Sequence, residues 1–269
     1  MTTHVFDQAI ALAAQADGSF TGQTSPAYAN MVGPFGGIMA AQVLNAVMQH
    51  PARLGEPVSF TVNFAAALAD GAFTVVVRPA RTNRSTQHWV VELQQEGHAV
   101  LTATLVTAVR RDTFSLTEMV MPRVAPPADL PSATRHAPLE WVKRYDMRFL
   151  AGAMPQAWNG NDTGSSHTLL WMRDVEPRPL DFCALTALAD VFFPRIYVRR
   201  QQRVPIGTVT MTVYFHADST QLLHTGDGFL LGQARAQAFR NGFFDQSAQL
   251  WNEAGELLVT SHQLVYYKQ

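Results

Sequence analysis

The 269-residue sequence has no excess of charge of either sign. Twenty basic residues stand against twenty-one acidic ones, and the formal net charge at pH 7 is -1. Such a chain has no global field that would collect nucleic acid or an anionic membrane surface. We therefore expect neither a nucleic-acid partner nor a membrane partner. A ligand with several negative charges would have to be bound by a local cluster of cations.

Cysteine and long apolar runs are also scarce. Cys183 is the only cysteine, so an intrachain disulfide is excluded and a reducing compartment fits the composition. Its apolar neighbours indicate a packed core thiol rather than a nucleophile. Residues 1–15 lack the pattern of a secretory signal, and no run approaches about 18 apolar residues. These features predict a soluble, cytoplasmic protein.

Several motifs that carry chemistry are missing. The sequence has no G-x-S-x-G nucleophile elbow, no H-E-x-x-H helix, no phosphate-binding P-loop and no Cys/His spacing of a zinc site. A serine hydrolase and a zinc protease of the familiar kinds are thereby excluded. We expect no metal and no cofactor.

The residue pattern instead predicts one helix followed by four strands, and it does so twice. The first helix covers residues 36–50, opened by Gly36-Gly37, and the second covers 182–193, capped by Asp181 and stopped by Pro194. Alternating and β-branched runs punctuated by turn residues predict the strands. They are 58–67, 72–81, 86–95 and 99–109 after the first helix, and 208–216, 228–239, 244–252 and 257–268 after the second.

The two copies also match in local sequence. Thr61-Val62-Asn63-Phe64 aligns with Thr212-Val213-Tyr214-Phe215 at an offset of 151 (212 minus 61), and Gly97 aligns with Gly255 at an offset of 158. The seven extra residues fit a longer turn at 219–227. A period this long indicates a duplicated domain rather than a solenoid, and two such units are expected to pack about a pseudo-twofold axis.

The region between the copies is rich in proline, although residues 144–150 and 167–173 still have strand character. We predict a first unit at residues 1–112, a proline-rich linker at 113–134 and a second unit at 135–269. The fold class is α+β.

The order of these blocks resembles the double-hotdog acyl-CoA thioesterases, in particular the medium-chain thioesterase II family. The resemblance rests on Gly36-Gly37, on the Leu188-Ala189-Asp190 block, on the threonine-rich run 208–216, and on the blocks 242–246 and 250–255. It implies a tandem hotdog, each unit an antiparallel sheet around a long central helix, with the thioester site between the units. It further implies hydrolysis of acyl-CoA in fatty acid metabolism. A fused pair of units often pairs again, so we also expect a homodimer or larger homo-oligomer.

The resemblance also assigns the site residues. Asp190, Thr208 and Gln263 correspond to the three side chains that hold the attacking water. Asp190 breaks local rules, because a carboxylate near the C-terminal end of an apolar helix is disfavoured by the helix dipole. The alternative is that Asp190 points to solvent or pairs with Arg195 or Arg199.

Other candidate residues keep two interpretations each. Thr210 shares the predicted strand face with Thr208, so either could be the site threonine, and both could be solvated. Gln263 could lie on an exposed strand face. Gly36, Gly37 and Thr210 are expected to bind substrate. The Gly37 amide would meet the oxyanion, unless the glycine pair merely lets the helix start pack tightly.

A basic cluster precedes the threonine-rich strand and comprises Arg195, Arg199, Arg200 and Arg203. It could contact the CoA phosphates or form a solvated loop. Two further functions compete with hydrolysis. One is a non-catalytic acyl-CoA or acyl-chain binding protein, and the other is a hotdog hydratase, whose Asp/His signature is absent.

Overall fold

A computed structural model describes residues 3–134 and 137–268 of the chain. Within these ranges the helices are α1 (Val5–Ala9), α2 (Gly36–Gln49), α3 (Phe182–Leu188), α4 (Arg195–Arg200) and α5 (Ser219–Thr225), with 3-10 turns at Pro26–Tyr28, Pro127–Asp129 and Trp141–Arg144. The strands are β1 (Ala13–Ala14), β2 (Phe20–Gln23), β3 (Glu56–Phe64), β4 (Ala72–Thr82), β5 (Thr86–Gln95), β6 (His98–Ala108), β7 (Tyr145–Ala151), β8 (Thr168–Asp174), β9 (Ile206–Phe215), β10 (Leu230–Arg235), β11 (Phe239–Arg240), β12 (Phe243–Asn252) and β13 (Leu257–Tyr267).

The strands form one continuous antiparallel sheet in the order β1-β2-β4-β5-β6-β3-β9-β13-β12-β10-β8-β7, with β11 paired to β12. The run β2-β4-β5-β6-β3 in the first half is repeated as β8-β10-β12-β13-β9 in the second half. The tandem hotdog and its α+β class are therefore confirmed. The four strands predicted after each helix correspond to β3 to β6 and to β9, β10, β12 and β13.

The two units meet along β3 and β9, at the centre of the sheet. Thr61 pairs directly with Thr212, and their hydroxyl oxygens are 3.0 Å apart. These are the two residues that the internal repeat aligns at an offset of 151. A residue that faces its own counterpart marks a twofold axis. The pseudo-twofold axis of the molecule thus passes through this pair.

The central helices lie against the inner face of the sheet and contact each other across the axis. Most of α2 is buried, and all seven residues of α3 are buried, Cys183 among them. Both helices are apolar on nearly every side because each one is covered by its own half of the sheet and by the other helix. Alternate residues of the strands, such as Met211 and Val213, complete this core.

The second helix is shorter than the sequence predicts. It was expected over residues 182–193, but α3 ends at Leu188. The amides of Asp190 and Val191 donate to carbonyls three residues back, in a tighter turn than that of an α-helix. Pro194 disfavours helical geometry at Phe193, and the side chain of Asp190 is held by a hydrogen bond from Gln263 of β13. A separate helix, α4, then begins after Pro194.

Two other predicted segments differ in the structure. The strand expected over 228–239 ends at Arg235, because the carboxylate of Asp245 accepts the amides of Gln237 and Ala238 and draws them out of the ladder. The long turn expected at 219–227 contains α5, which Asp218 and Gln221 close with a capping box. The sequence pattern did not predict α1, α4, β1 or β2.

The proline-rich connection crosses the outer face of the second half of the sheet. The indole of Trp171 donates to the carbonyl of Ala125 at 2.9 Å, and Arg148 donates to the carbonyl of Pro127 at 2.8 Å. Met121 and Val124 pack on the same cluster as Trp171. The unit boundaries at 112, 113–134 and 135 stay predictions, and residues 135 and 136, where the second unit was placed to start, lie outside the described residues.

Candidate active site

The carboxylate of Asp190 lies at the junction of the two units. The residue follows α3, in a turn whose backbone is fixed by the bond from its amide to the carbonyl of Ala187 at 3.1 Å. Its side chain is partly buried and points to the start of α2 in the first unit. A Cβ atom placed on Gly36 would be 2.8 Å from Asp190 Oδ2. The end of one central helix therefore delivers a carboxylate to the beginning of the other.

Gln263 holds the other oxygen of this carboxylate. Its side-chain Nε2 donates to Asp190 Oδ1 at 2.8 Å and approaches the sulfur of Met211 at 3.4 Å. Gln263 lies on β13, where only about 5% of its surface is exposed. The exposed-face interpretation of Gln263 is therefore excluded. The structure brings two of the three expected side chains into direct contact.

The start of α2 is suited to an anion because it has no side-chain cap. Its N-cap residue is Phe35, which offers no acceptor, whereas the side chain of Asp181 caps α3 by accepting the amide of Ala184. The amide of Gly37 faces the Asp190 carboxyl and lowers its pKa. Unpaired first-turn amides and the positive end of the helix dipole attract a negative group. Asp190 thus supplies, from the second unit, the acceptor that the first unit lacks.

The glycine pair allows this approach on both sides. A side chain on Gly36 would occupy the space of the Asp190 carboxylate, and a Cβ atom on Gly37 would be 2.8 Å from the carbonyl oxygen of Ala187 in α3. Tight packing and access to the amides, which sequence analysis treated as alternatives, therefore occur together. The Gly37 amide, which was expected to meet an oxyanion, is directed to Asp190.

The environment of Asp190 changes its acidity. Burial raises the pKa of its carboxyl from the ordinary 3.8 to about 7, while the hydrogen bonds from Gln263 and from the Gly37 amide act in the opposite direction. A carboxyl group with a pKa near neutrality can take up a proton and release it again at the same pH. These are the properties of a general base.

A β-bulge decides which threonine faces this site. Along β13 and β9, Leu264 pairs with Thr210, but Val265 pairs with Thr208, so β9 carries one extra residue at this point. The extra residue turns Thr208 to the face of Gln263 and leaves Thr210 on the opposite face. The hydroxyl of Thr210 donates to the carbonyl of Val62 at 3.1 Å.

The structure therefore places Thr210 on the face opposite Gln263, and its expected role in binding substrate stays a prediction. The expectation that Thr208 and Thr210 share a face was wrong, because the bulge breaks the strict alternation along β9. A bulge of one residue leaves no distinct signal in a single sequence.

The arginines offered as alternative partners of Asp190 are engaged elsewhere. Arg195 is fully buried and donates to the carbonyl of Ser166 and to the hydroxyl of Thr168. Arg199 pairs with Asp162, with Nε 2.7 Å from Oδ1. Asp190 is thus held by an amide side chain and a backbone amide, and neither arginine that was weighed as its partner pairs with it.

An aromatic cluster that the sequence pattern did not predict supports the site. Trp141 stacks on Phe35 with ring centroids 4.3 Å apart and meets Phe193 at 6.2 Å. Phe35 precedes the glycine pair and Phe193 closely follows Asp190, so one indole fixes both main-chain segments that carry the site. Trp141 occurs in the proline-rich region, where no periodic pattern draws attention to it.

No group of three His, Cys, Asp or Glu side chains that could hold a metal ion occurs in residues 3–134 and 137–268. In the same ranges, no helix is long and apolar enough to cross a membrane.

Comparison with known proteins gives a consistent family. Residues 122–267 match the acyl-CoA thioesterase C-terminal domain, and residues 25–109 match the acyl-CoA thioesterase N-terminal domain. A solved structure described as a conserved protein of unknown function with hot dog fold, from Alicyclobacillus acidocaldarius, is 48% identical. It covers 100% of this chain and 99% of its own length, with a TM-score of 0.93.

Two thioesterase structures share the fold at lower identity. The acyl-CoA thioesterase II of Mycobacterium marinum is 17% identical, with a TM-score of 0.78 and coverage of 98% of both chains. The tesB protein of Mycobacterium avium subsp. paratuberculosis is 18% identical, with a TM-score of 0.80 and coverage of 98% of both chains. No curated protein matches the sequence.

Proposed function

The chain belongs to the acyl-CoA thioesterase family, and from this premise we propose that it hydrolyses acyl-CoA to a free carboxylic acid and CoA at the junction of its two units. The observation that supports this most strongly is the Asp190 carboxylate. It is held between the Gln263 side chain and the start of α2, and its pKa of about 7 suits proton transfer.

In this mechanism Asp190 takes a proton from a water molecule as the water oxygen attacks the thioester carbonyl carbon. Gln263 orients the carboxylate, and Thr208, on the same face of the sheet, positions the water. The carbonyl oxygen becomes an oxyanion beside the first-turn amide of Gly36, near the positive end of the α2 dipole. When the carbon–sulfur bond breaks, Asp190 returns the proton to the departing CoA thiolate.

A thiol-release assay across short, medium, long and aromatic acyl-CoAs tests the proposal. We expect turnover of at least one substrate class by the wild type. The Gln263→Leu variant, which carries the residue found at the equivalent Leu105 of the first unit, is expected to lose most activity because the carboxylate loses its orienting donor. If no thioester of the panel is hydrolysed but the same thioesters bind tightly, the alternative of a non-catalytic acyl-CoA binding protein is favoured.

Three further expectations belong to this proposal. A role in fatty acid metabolism follows if the preferred acyl groups are fatty. A cytoplasmic location is expected from the composition, and a homodimer or larger homo-oligomer is expected because a fused pair of units often pairs again. Light scattering of the purified protein tests the oligomer, and a single monomer peak would contradict it.

A further inference from the structure

A cleft of about 790 Å³ opens on the second unit, outside the junction that holds Asp190. Its walls come from residues 162–167, from α4, and from residues 235–239, which connect β10 and β11. Tyr267, at the end of β13, closes one side. The cleft is large enough for a bulky polar ligand rather than for a few waters.

The cleft carries an excess of positive charge. It is lined by Arg199, Arg200 and Arg235 and by one carboxylate, that of Asp162, so its formal charge from these groups is +2 (three minus one). Asp162 is engaged by Arg199. Arg200 and Arg235 are exposed, and neither forms an ion pair with any residue in the described ranges. Two guanidinium groups therefore face the cleft with free donors.

A fourth arginine lies beneath the cleft. Arg195 is fully buried, and its Nη1 donates to the carbonyl of Ser166 at 2.9 Å and to Thr168 Oγ1 at 2.7 Å. Its Nε has no partner within the described residues. Burial lowers the pKa of its guanidinium to about 9, so the group is still charged at neutral pH. Its contacts are neutral oxygens, and its charge adds to the field of the cleft, whose wall includes Ser166.

The cleft is connected to the junction by β13. Gln263, which holds Asp190, and Tyr267, which lines the cleft, are four residues apart on this strand, or about 13 Å at 3.3 Å per residue. Val265 lies between them in an apolar cluster with Ile196 of α4. An anionic group in the cleft and a thioester at Asp190 can therefore belong to one extended molecule.

We propose that this cleft binds the phosphate groups of the CoA moiety, so that Arg200 and Arg235 hold the nucleotide end while the pantetheine arm reaches the thioester to Asp190. This assignment rests on the proposed thioesterase function and names the part of the substrate that the cleft recognises. Arginine is suited to this role because its planar fork of donors matches phosphate oxygens. The chain has no global field for polyanions, so a local cluster of this kind is needed to recognise one.

The test compares two thioesters of the same acid, one of CoA and one of pantetheine, which lacks every phosphate. For the double variant Arg200→Gln/Arg235→Gln we expect kcat/KM for the CoA thioester to fall about 10- to 100-fold through a higher KM, since charged hydrogen bonds are lost. The value for the pantetheine thioester should stay within about twofold, because phosphate contacts do not contribute to it. Arg78→Gln, which changes an exposed arginine of the first unit, is the matched control and should alter neither substrate.

Several outcomes separate this inference from the proposed function. Equal kcat/KM of the double variant and the wild type on the CoA thioester would overturn the cleft assignment while leaving hydrolysis intact. A parallel loss on both thioesters would also overturn it, because the phosphates would then not be the recognised group. If the wild type hydrolyses neither thioester, titration calorimetry with CoA decides. Binding that the double variant lacks would support the cleft, and binding that it retains would overturn it.

Discussion

The Asp190→Asn substitution should make the protein inactive and, above neutral pH, more stable. Asn keeps the shape of the side chain and an oxygen that can accept from Gln263, but it cannot take a proton. General bases contribute typically 10²- to 10⁴-fold to rate, so kcat should fall by about that factor. The same substitution removes a partly buried negative charge. Activity and stability are therefore expected to change in opposite directions.

The size of the stability change follows from the pKa of Asp190. Burial raises that pKa from 3.8 to about 7, and at 1.36 kcal/mol for each pKa unit the ionised carboxylate costs the folded state about 4 kcal/mol. The new amide NH₂ would face the Gly37 amide, donor against donor, which reduces the gain. We expect the free energy of unfolding to rise by about 2 to 4 kcal/mol at pH 8.

The sign of the pH dependence is fixed by the same pKa. Below pH 3.8 the carboxyl is protonated in the folded and unfolded chain alike, so wild type and variant should be equally stable. Between 3.8 and about 7 the folded protein keeps a proton that the unfolded chain has released, so wild-type stability falls as pH rises. Above about pH 7 the full difference in the free energy of unfolding between the variant and the wild type is present.

Asp174 provides the matched control for this experiment. Burial also raises the pKa of its carboxyl to about 7, yet Asp174 lies at the end of β8, paired with Tyr145, away from Gln263 and Gly37. Asp174→Asn should show a similar pH-dependent gain in stability and retain hydrolysis. Thermal unfolding from pH 4 to 8, combined with the thiol-release assay, measures both effects. A stability difference for Asp190→Asn that is the same at every pH, or full activity of that variant, would refute the reasoning.

The remaining predictions concern the geometry of the site. The kcat/KM of the wild type should rise with pH up to about 7 and then level off, because Asp190 acts as a base only when it is ionised. A kcat/KM that falls as the pH rises through 7 would instead assign Asp190 the role of an acid. Gly36→Ala should lower kcat at least about tenfold with unchanged circular dichroism, since the new methyl group would lie 2.8 Å from Asp190 Oδ2. Thr208→Val should reduce kcat, whereas Thr210→Val should leave it within about twofold, because the bulge places the two threonines on opposite faces. The reverse result would show that the bulge does not determine which threonine acts at the site.

Much of the architecture could be predicted from the sequence because the signals were long and repeated. The strand from 86 to 95 has the predicted bounds, and α2 differs by one residue from its expected end. The internal repeat indicated the axis, since Thr61 and Thr212 align in sequence and pair in the sheet. Periodicity over about ten residues is robust to single exceptions.

The unpredicted parts depend on contacts between distant segments. The early end of α3 accompanies the hydrogen bond from Gln263 of β13 to the Asp190 side chain, and the orientation of Thr208 reflects one bulge residue. The full burial of Arg195 was also unexpected, because an arginine in a basic cluster normally indicates a solvated surface. None of these features has a local signature, since each is decided by what the folded chain places opposite the residue.

Because the two related units belong to one chain, equivalent positions in them can carry different residues, which is impossible in a pair of identical chains. In a pair of identical chains every substitution appears at both ends of the axis, so both pockets must change together. Here Gln263 has Leu105 as its counterpart, and the start of α3 is closed by its own Asp181 while the start of α2 is left open. The two ends of the axis therefore differ, because one combines Gln263 with a helix start that has no side-chain cap and the other combines Leu105 with a capped one.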